Sequence, residues 1–129
     1  MEKRALIVDD DPTIRNLVQA ILEDDGFEVN TAENGKLALE FLSSRAADIE
    51  LVVLDVMMPE MNGLETLAAM KEQESTADLP VLMLTAEDQP DDILAGYSVG
   101  ADYYITKPFT RQQLLYGVNL VLGLSEEEE

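Results

Sequence analysis

Cysteine and histidine are both absent from this chain of 129 residues. Without cysteine the chain can form no disulfide, and nothing in it requires an oxidising compartment. Without histidine it can supply neither an imidazole base nor a histidine metal ligand, and it cannot carry a phosphohistidine. Any catalytic or metal chemistry must therefore rest on carboxylates, hydroxyls, amides and lysine.

Basic residues are also scarce, with 8 Lys and Arg against 27 Asp and Glu and a formal net charge of -19. This balance argues against direct binding to nucleic acid or to an anionic membrane surface, because both need clustered positive charge. No apolar run approaches the roughly 20 residues of a membrane span. The apolar stretch near the N-terminus is too short for a signal peptide. We therefore expect a cytoplasmic protein.

The chain does contain several short, continuous apolar runs, which are typical of strands covered on both faces. Helical stripes lie between these runs, so that strand and helix alternate five times. This alternation predicts an α/β fold, a doubly wound parallel sheet with helices on both faces. The predicted strands are Ala5–Val8, Phe27–Thr31, Leu51–Leu54, Val81–Leu84 and Asp102–Ile105.

The predicted helices carry apolar residues at helical spacing. Pro12 suits the first turn of the first helix, and Gly26 suits the exit from it. The fourth helix has the weakest apolar stripe. The stripes fall at Ile14–Leu22, Ala38–Leu42, Leu64–Ala68, Asp91–Val99 and Leu114–Leu122.

Polar groups follow four of the five apolar runs. Because the carboxyl ends of parallel strands lie at the same edge of a sheet, these groups are expected to converge there. The edge would then hold three carboxylates, a hydroxyl and an ammonium in one small site. The groups are Asp9-Asp10 after the first run, Asp55 after the third, Thr85-Ala86 after the fourth and Lys107-Pro108 after the fifth.

The carboxylates of Asp9, Asp10 and Asp55 would repel one another at close range, and a divalent cation would offset that repulsion. Oxygen ligands without histidine or cysteine favour Mg²⁺ or Ca²⁺ over zinc, with Mn²⁺ as a substitute for Mg²⁺. A Ca²⁺ loop fits poorly, because the segment "DDDPTIRNLVQA" lacks the central glycine and terminal glutamate of an EF-hand. The sequence therefore predicts a magnesium site.

An aspartate can also attack phosphorus to give an aspartyl phosphate. Asp55 would need no general base, since a carboxyl is ionised at neutral pH. Lys107, the Thr85 hydroxyl and the Ala86 amide would contact the phosphoryl oxygens beside the cation.

These residues occur in four motifs, and the chain resembles the receiver domain of two-component response regulators, in particular the single receivers of chemotaxis regulators. The resemblance covers roughly residues 3–123. It implies a flavodoxin-like (βα)5 fold with the strand order 2-1-3-4-5. The motifs are "LIVDDDP", "LVVLDVMMPEMNG", "VLMLTAE" and "GADYYITKPF".

The resemblance implies a role for each site residue. Asp55 is the expected phosphoacceptor, and Mg²⁺ is expected on Asp10, Asp55 and the Met57 backbone carbonyl, with Asp9 acting partly through water. Thr85 and Lys107 are expected to contact the phosphoryl group. The remaining implied roles belong to Tyr104 as the aromatic switch, to Lys107-Pro108 as a cis peptide bond, and to Met57 and Glu87 as positions that tune the phosphoryl lifetime.

The resemblance also implies partners. A sensor histidine kinase or a histidine phosphotransfer protein would supply the phosphoryl group. A downstream protein would bind the face formed by the fourth helix, the fifth strand and the fifth helix. The domain would catalyse its own phosphorylation and dephosphorylation without being a turnover enzyme. We expect a receiver domain at residues 1–123, either stand-alone or cut from a longer regulator, and a disordered acidic tail at 124–129. Candidate residues for a partner surface are Ile93, Tyr97, Tyr103 and Tyr116.

Other interpretations exist for several residues. Asp11 and Thr85 could simply cap helices, and Tyr103 competes with Tyr104 as the switch residue. An aspartyl-phosphate phosphatase would need a second aspartate at position 57, where this chain has methionine. The acidic first loop opposes a flavin phosphate, and a P-loop motif is absent. A protein-binding module that works without phosphorylation is the remaining alternative.

Overall fold

A computed structural model describes residues 3–86 and 98–123. Its five strands are all parallel and form one sheet in the order β2-β1-β3-β4-β5, which confirms the predicted fold. The strands are β1 (Arg4–Val8), β2 (Glu28–Ala32), β3 (Leu51–Asp55), β4 (Val81–Ala86) and β5 (Tyr103–Lys107).

Four helices in the described ranges cover the two faces of the sheet. Each begins at a side chain that accepts a backbone N–H: Asp11, Asn34, Asn62 and Thr110 are the N-caps in chain order. Such caps satisfy the unpaired N–H groups of a first turn. The helices are α1 (Pro12–Asp24), α2 (Gly35–Arg45), α3 (Gly63–Lys71) and the C-terminal helix (Arg111–Val121), with a short 3₁₀ turn at Ala46–Asp48.

Alternate residues of each strand feed two separate hydrophobic layers. In β1, Leu6 and Val8 pack with α2 and α3, whereas Ala5 and Ile7 pack with α1 and the C-terminal helix. This alternation follows from the two-residue period of a strand. The central strand β3 is buried along its whole length, so it is anchored on both faces. Its carboxyl end is therefore a fixed platform for Asp55.

The structure extends four of the five predicted strands toward the site. β2 and β3 each run one residue further than expected, to Ala32 and Asp55, and β4 and β5 each run two residues further, to Ala86 and Lys107. The ladder explains the changes in β4 and β5, because Thr106 and Lys107 pair with Thr85 and Ala86. Apolar periodicity could not reveal these extensions, because most of the added residues are polar.

Most of the predicted fourth helix, Asp91–Val99, falls on residues 91–97, which lie outside the described residues. Among the helices that the structure does describe, none combines the length and apolarity of a membrane span.

Candidate functional site

The three predicted carboxylates meet at the carboxyl edge of the sheet. Asp55 is the last residue of β3, and Asp9 follows β1 and continues its ladder by donating its N–H to the Ala32 carbonyl at 3.2 Å. Asp9, Asp10 and Asp55 each offer a carboxylate oxygen within 4.8 Å of the others. Asp9 and Asp55 are 0% and 2% exposed, whereas Asp10 is exposed. The cluster is thus a buried pair with one solvent-facing member.

Lys107 brings positive charge to this cluster from the far side of the sheet. Its Nζ lies 2.9 Å from Asp55 Oδ1 and 3.4 Å from Asp9 Oδ2. Because β4 separates β5 from β3, the long side chain must reach across one strand to form these contacts. The peptide bond between Lys107 and Pro108 is cis, as the resemblance implied.

Thr85 and Ala86 end β4 between the aspartate and the lysine. Thr85 is fully buried, and among the described residues its hydroxyl has only a long contact of 3.4 Å to the Ala86 carbonyl. Both residues belong to the strand, and Thr85 caps none of the helices that the structure describes. Thr85 follows Leu84, which pairs with Asp55, so Thr85 lies one position beyond Asp55 on the neighbouring strand.

Burial dominates the electrostatics of the cluster. Desolvation raises the pKa of Asp55 to about 6, with Asp9 adding to the rise and Lys107 opposing it. Desolvation likewise raises the pKa of Asp9. Burial alone would lower the pKa of Lys107, but the hydrogen bond and charge of Asp55, together with Asp9, outweigh it and raise that pKa. The site therefore holds more negative charge than one lysine balances.

The donor set fits a hard divalent cation. Three carboxylate oxygens within reach of one ion, without soft ligands, match the oxygen coordination of Mg²⁺ and Mn²⁺. The exposed member, Asp10, leaves a side of the cluster open to water, which Mg²⁺ usually retains. Met57 lies in the loop after β3 and is 57% exposed.

The loop between β3 and α3 is held tightly under Asp55. The Gly63 N–H donates to the Val56 carbonyl at 2.8 Å, and a Cβ at Gly63 would overlap the Asp55 carbonyl oxygen. Asn62 and Glu65 close a capping box at the start of α3. Glu60 takes a positive φ of 69° in the same loop. The Asn62-Gly63 pair signals a turn in the sequence, but the contact with the acceptor strand is visible only in the structure.

The turn between β1 and α1 is equally constrained. Asp11 caps α1 by accepting the Thr13 N–H at 2.9 Å, which confirms the capping interpretation. Its own N–H donates to Asp9 Oδ1 at 2.9 Å. Arg15 Nη1 donates to the Asp9 backbone oxygen at 2.8 Å. Sequence reasoning missed Arg15, because no motif indicates a contact that depends on where a long side chain folds.

The two candidate switch tyrosines point to opposite sides of β5. Tyr104 is buried in the layer shared with α2 and α3, on the sheet face that also receives Thr85, two residues after Met83. Tyr103 lies on the other face, and its ring meets that of Tyr116 edge-on at 6.4 Å. Tyr104 is therefore the tyrosine on the threonine's side. Glu87, Ile93 and Tyr97 lie outside the described residues.

Comparison with known proteins agrees with this arrangement. The sequence model of the family "Response regulator receiver domain" matches residues 5–119 of this chain. The response regulator SaeR of Staphylococcus aureus is 40% identical over 117 residues, or 91% of this chain and 49% of that protein. The chain thus spans about half the length of the curated relatives it matches.

Solved structures give the same result for the fold. The chemotaxis protein CheY4 of Vibrio cholerae superposes with a TM-score of 0.86 at 36% identity, covering 94% of this chain and 99% of that one. The receiver domain of a signal transduction histidine kinase from Syntrophus aciditrophicus gives 0.83 at 34% identity, covering 96% and 93%. A match over most of the chain, with relatives at this identity, means that the chain belongs to the response regulator receiver domain family.

Proposed function

We propose that the chain is a phosphorylation-dependent signalling switch in which Asp55 accepts a phosphoryl group from a phosphohistidine. The observation that carries the proposal is the contact of 2.9 Å between Lys107 Nζ and Asp55 Oδ1, beside two further carboxylates within 4.8 Å. One oxygen of Asp55 is thereby oriented by the Lys107 ammonium, and Asp10 in the same cluster is exposed to solvent.

In the proposed transfer, an Asp55 carboxylate oxygen forms the new bond to phosphorus. The bond between phosphorus and the donor's imidazole nitrogen breaks, and that nitrogen leaves with the electron pair and takes a proton. A Mg²⁺ (or Mn²⁺) ion on Asp9, Asp10, Asp55 and the Met57 carbonyl would supply charge neutralisation for the carboxylates and the phosphoryl group.

Lys107 acts next by exchanging its partner. Before transfer its ammonium contacts both Asp55 and Asp9 and offsets part of their negative charge. After transfer the same ammonium contacts a phosphoryl oxygen, so its charge follows the negative charge. The buried Thr85 hydroxyl and the Ala86 amide at the end of β4 contact the remaining oxygens. None of these steps needs a histidine on this chain.

The output of the switch passes through Thr85. A hydroxyl drawn toward the phosphoryl group leaves space on its own face of the sheet, and Tyr104 lies on that face. The resulting rearrangement alters the surface around β5 and the C-terminal helix, where a downstream protein binds. A sensor histidine kinase or a histidine phosphotransfer protein supplies the phosphoryl group. Met57 and Glu87 tune the lifetime of the phosphoryl group.

Intact mass after incubation with phosphoramidate tests the proposal. We expect a single phosphoryl adduct on the wild type that requires Mg²⁺ and disappears in Asp55→Asn. The control is Asp78→Asn, an exposed aspartate before β4 at the opposite edge of the sheet, which should keep the adduct. An adduct that survives in Asp55→Asn would overturn the assignment of the acceptor. The absence of any adduct would favour a binding module that works without phosphorylation.

A further inference from the structure

Asp9 is fixed by hydrogen bonds at four atoms, and one of these bonds comes from the side chain of a residue that has no role in the proposed transfer. Its N–H binds the Ala32 carbonyl, Oδ1 accepts the Asp11 N–H, and Oδ2 faces Lys107 at 3.4 Å. The fourth atom, the backbone carbonyl oxygen, accepts from Arg15 Nη1 at 2.8 Å. Arg15 is half-buried on the first turns of α1.

The position of that carbonyl has a direct geometric consequence for Asp10. The Asp9 oxygen belongs to the planar peptide group that joins Asp9 to Asp10. Once the oxygen is held, the orientation of the whole plane is held, and with it the Asp10 N and Cα atoms, so that only rotation about the N–Cα bond still turns the Asp10 side chain. Asp10 is the exposed member of the carboxylate cluster. It therefore depends on the backbone, more than on packing, for its orientation.

From this geometry we infer that Arg15 is a positioning residue, which holds the Asp9–Asp10 peptide in the conformation that presents both carboxylates to a divalent cation. The inference rests on the proposed function, because it assumes that the cluster binds Mg²⁺. Arg15 itself is not a ligand, since a guanidinium carries only donors.

The charge and the hydrogen bond of Arg15 predict opposite effects on metal affinity. A positive charge beside three carboxylates repels a cation, so its removal alone would tighten Mg²⁺ binding. A hydrogen bond that orders the turn favours the cation, so its removal loosens binding. Loss of a residue that orients metal ligands typically weakens affinity 10- to 100-fold. The sign of the change therefore separates a positioning role from a purely electrostatic one.

The test is calorimetric titration of Mg²⁺ into the wild type and Arg15→Met, at low and high KCl. We expect Kd to rise about tenfold in Arg15→Met at both salt concentrations, because a geometric effect is not screened. The control is Arg45→Met, which removes an exposed arginine paired with Asp48 at the end of α2 and should leave Kd unchanged. An unchanged or lower Kd in Arg15→Met would overturn the inference.

A second measurement reports on the turn without any metal. Exchange of the Asp11 amide hydrogen, which is bonded to Asp9 Oδ1, can be followed by NMR in metal-free protein. It should speed up in Arg15→Met and stay as in the wild type in Arg45→Met; equal exchange in all three proteins would count against the inference. If the wild type binds no Mg²⁺, the proposed function fails and this inference fails with it. If the wild type binds and Arg15→Met binds equally, the inference fails alone.

Discussion

At the scale of the single residue, the chemistry and the burial of Asp55 favour opposite protonation states. It must be ionised to attack phosphorus, yet burial raises its pKa to about 6, above the value near 4 of an exposed carboxyl. Lys107 at 2.9 Å limits the rise but does not remove it. At neutral pH the carboxylate is therefore charged and destabilised, which is the state in which a cation or a phosphoryl group gains most by binding.

This raised pKa predicts how stability depends on pH in metal-free protein. Between about pH 4 and 6 the folded chain keeps the Asp55 proton while the unfolded chain releases it, so the free energy of unfolding falls as pH rises through this window. A gap of about two units corresponds to roughly 3 kcal/mol at most. Asp55→Asn removes this contribution. In urea unfolding with EDTA, the free energy of unfolding of the variant should rise relative to that of the wild type by up to this amount between pH 4 and 7.

The control for this titration is Asp78→Asn, which removes the same charge at the opposite edge of the sheet. Its stability should run parallel to the wild type across the same pH range. Parallel curves for Asp55→Asn as well would contradict the buried-charge account of Asp55.

Glu60 adopts a backbone conformation that is unfavourable for a glutamate. Its φ of 69° lies in the left-handed region, which costs an ordinary L-residue about 1–2 kcal/mol, whereas asparagine tolerates it better. Glu60→Asn should therefore raise the free energy of unfolding by about 0.5–1 kcal/mol in urea. Glu60→Gln makes the same charge change without relieving the backbone, so it should be the less stable of the two. Equal stability of the two variants would rule out backbone strain as the cause.

At the scale of elements, the sequence predicts the parts of the site that lie on strands. The runs at β1, β3 and β4 are continuous and apolar, so the positions of these strands could be predicted, and parallel strands bring Asp9, Asp55 and Thr85 to one edge of the sheet. Contacts between elements were not readable. Arg15 contacts Asp9 through a long side chain that could adopt many conformations. Gly63 contacts the Asp55 backbone because the first residue of α3 packs against the end of β3.

The junction of β3 and α3 leads to the third prediction. A methyl group at Gly63 would overlap the Asp55 carbonyl and come within 2.9 Å of Val56 Cα, and neither backbone atom can rotate away. Gly63→Ala should therefore destabilise the protein by about 2–3 kcal/mol, as overpacking against rigid atoms does. The change in urea midpoint at a constant m-value measures the effect.

Gly117→Ala on the C-terminal helix is the matched control. The added methyl would lie 2.7 Å from Ile105 Cδ1 and 3.2 Å from Leu82 Cδ1, and both atoms are ends of flexible side chains. The better helix propensity of alanine, about 0.5–1 kcal/mol, offsets the crowding. We expect this variant to stay within about 1 kcal/mol of the wild type. A loss as large as that of Gly63→Ala would show that any added methyl is tolerated poorly.

At the scale of the whole molecule, the net charge of -19 adds to the local repulsion of the site. The surface field attracts cations in general, so a rise in stability on adding MgCl₂ does not by itself report a specific site. Ionic strength must be held constant to separate the two contributions. At constant ionic strength, any stabilisation that saturates with Mg²⁺ concentration is then attributed to the carboxylate cluster, because it offers three oxygens within 4.8 Å of one another.

Under constant ionic strength, the fourth prediction is that Mg²⁺ raises the melting temperature of the wild type with a logarithmic dependence on concentration. Above Kd, each tenfold increase in Mg²⁺ should add about 1.4 kcal/mol to the free energy of unfolding. For a chain of this size, the melting temperature rises by about 4 °C for each kcal/mol. Asp10→Asn removes one member of the cluster and should shift the onset to higher Mg²⁺. Asp78→Asn removes the same charge elsewhere and should follow the wild type. Equal shifts in melting temperature in all three proteins would mean that the general negative field of this acidic molecule causes the stabilisation. That result would contradict a specific cation site at the carboxylate cluster.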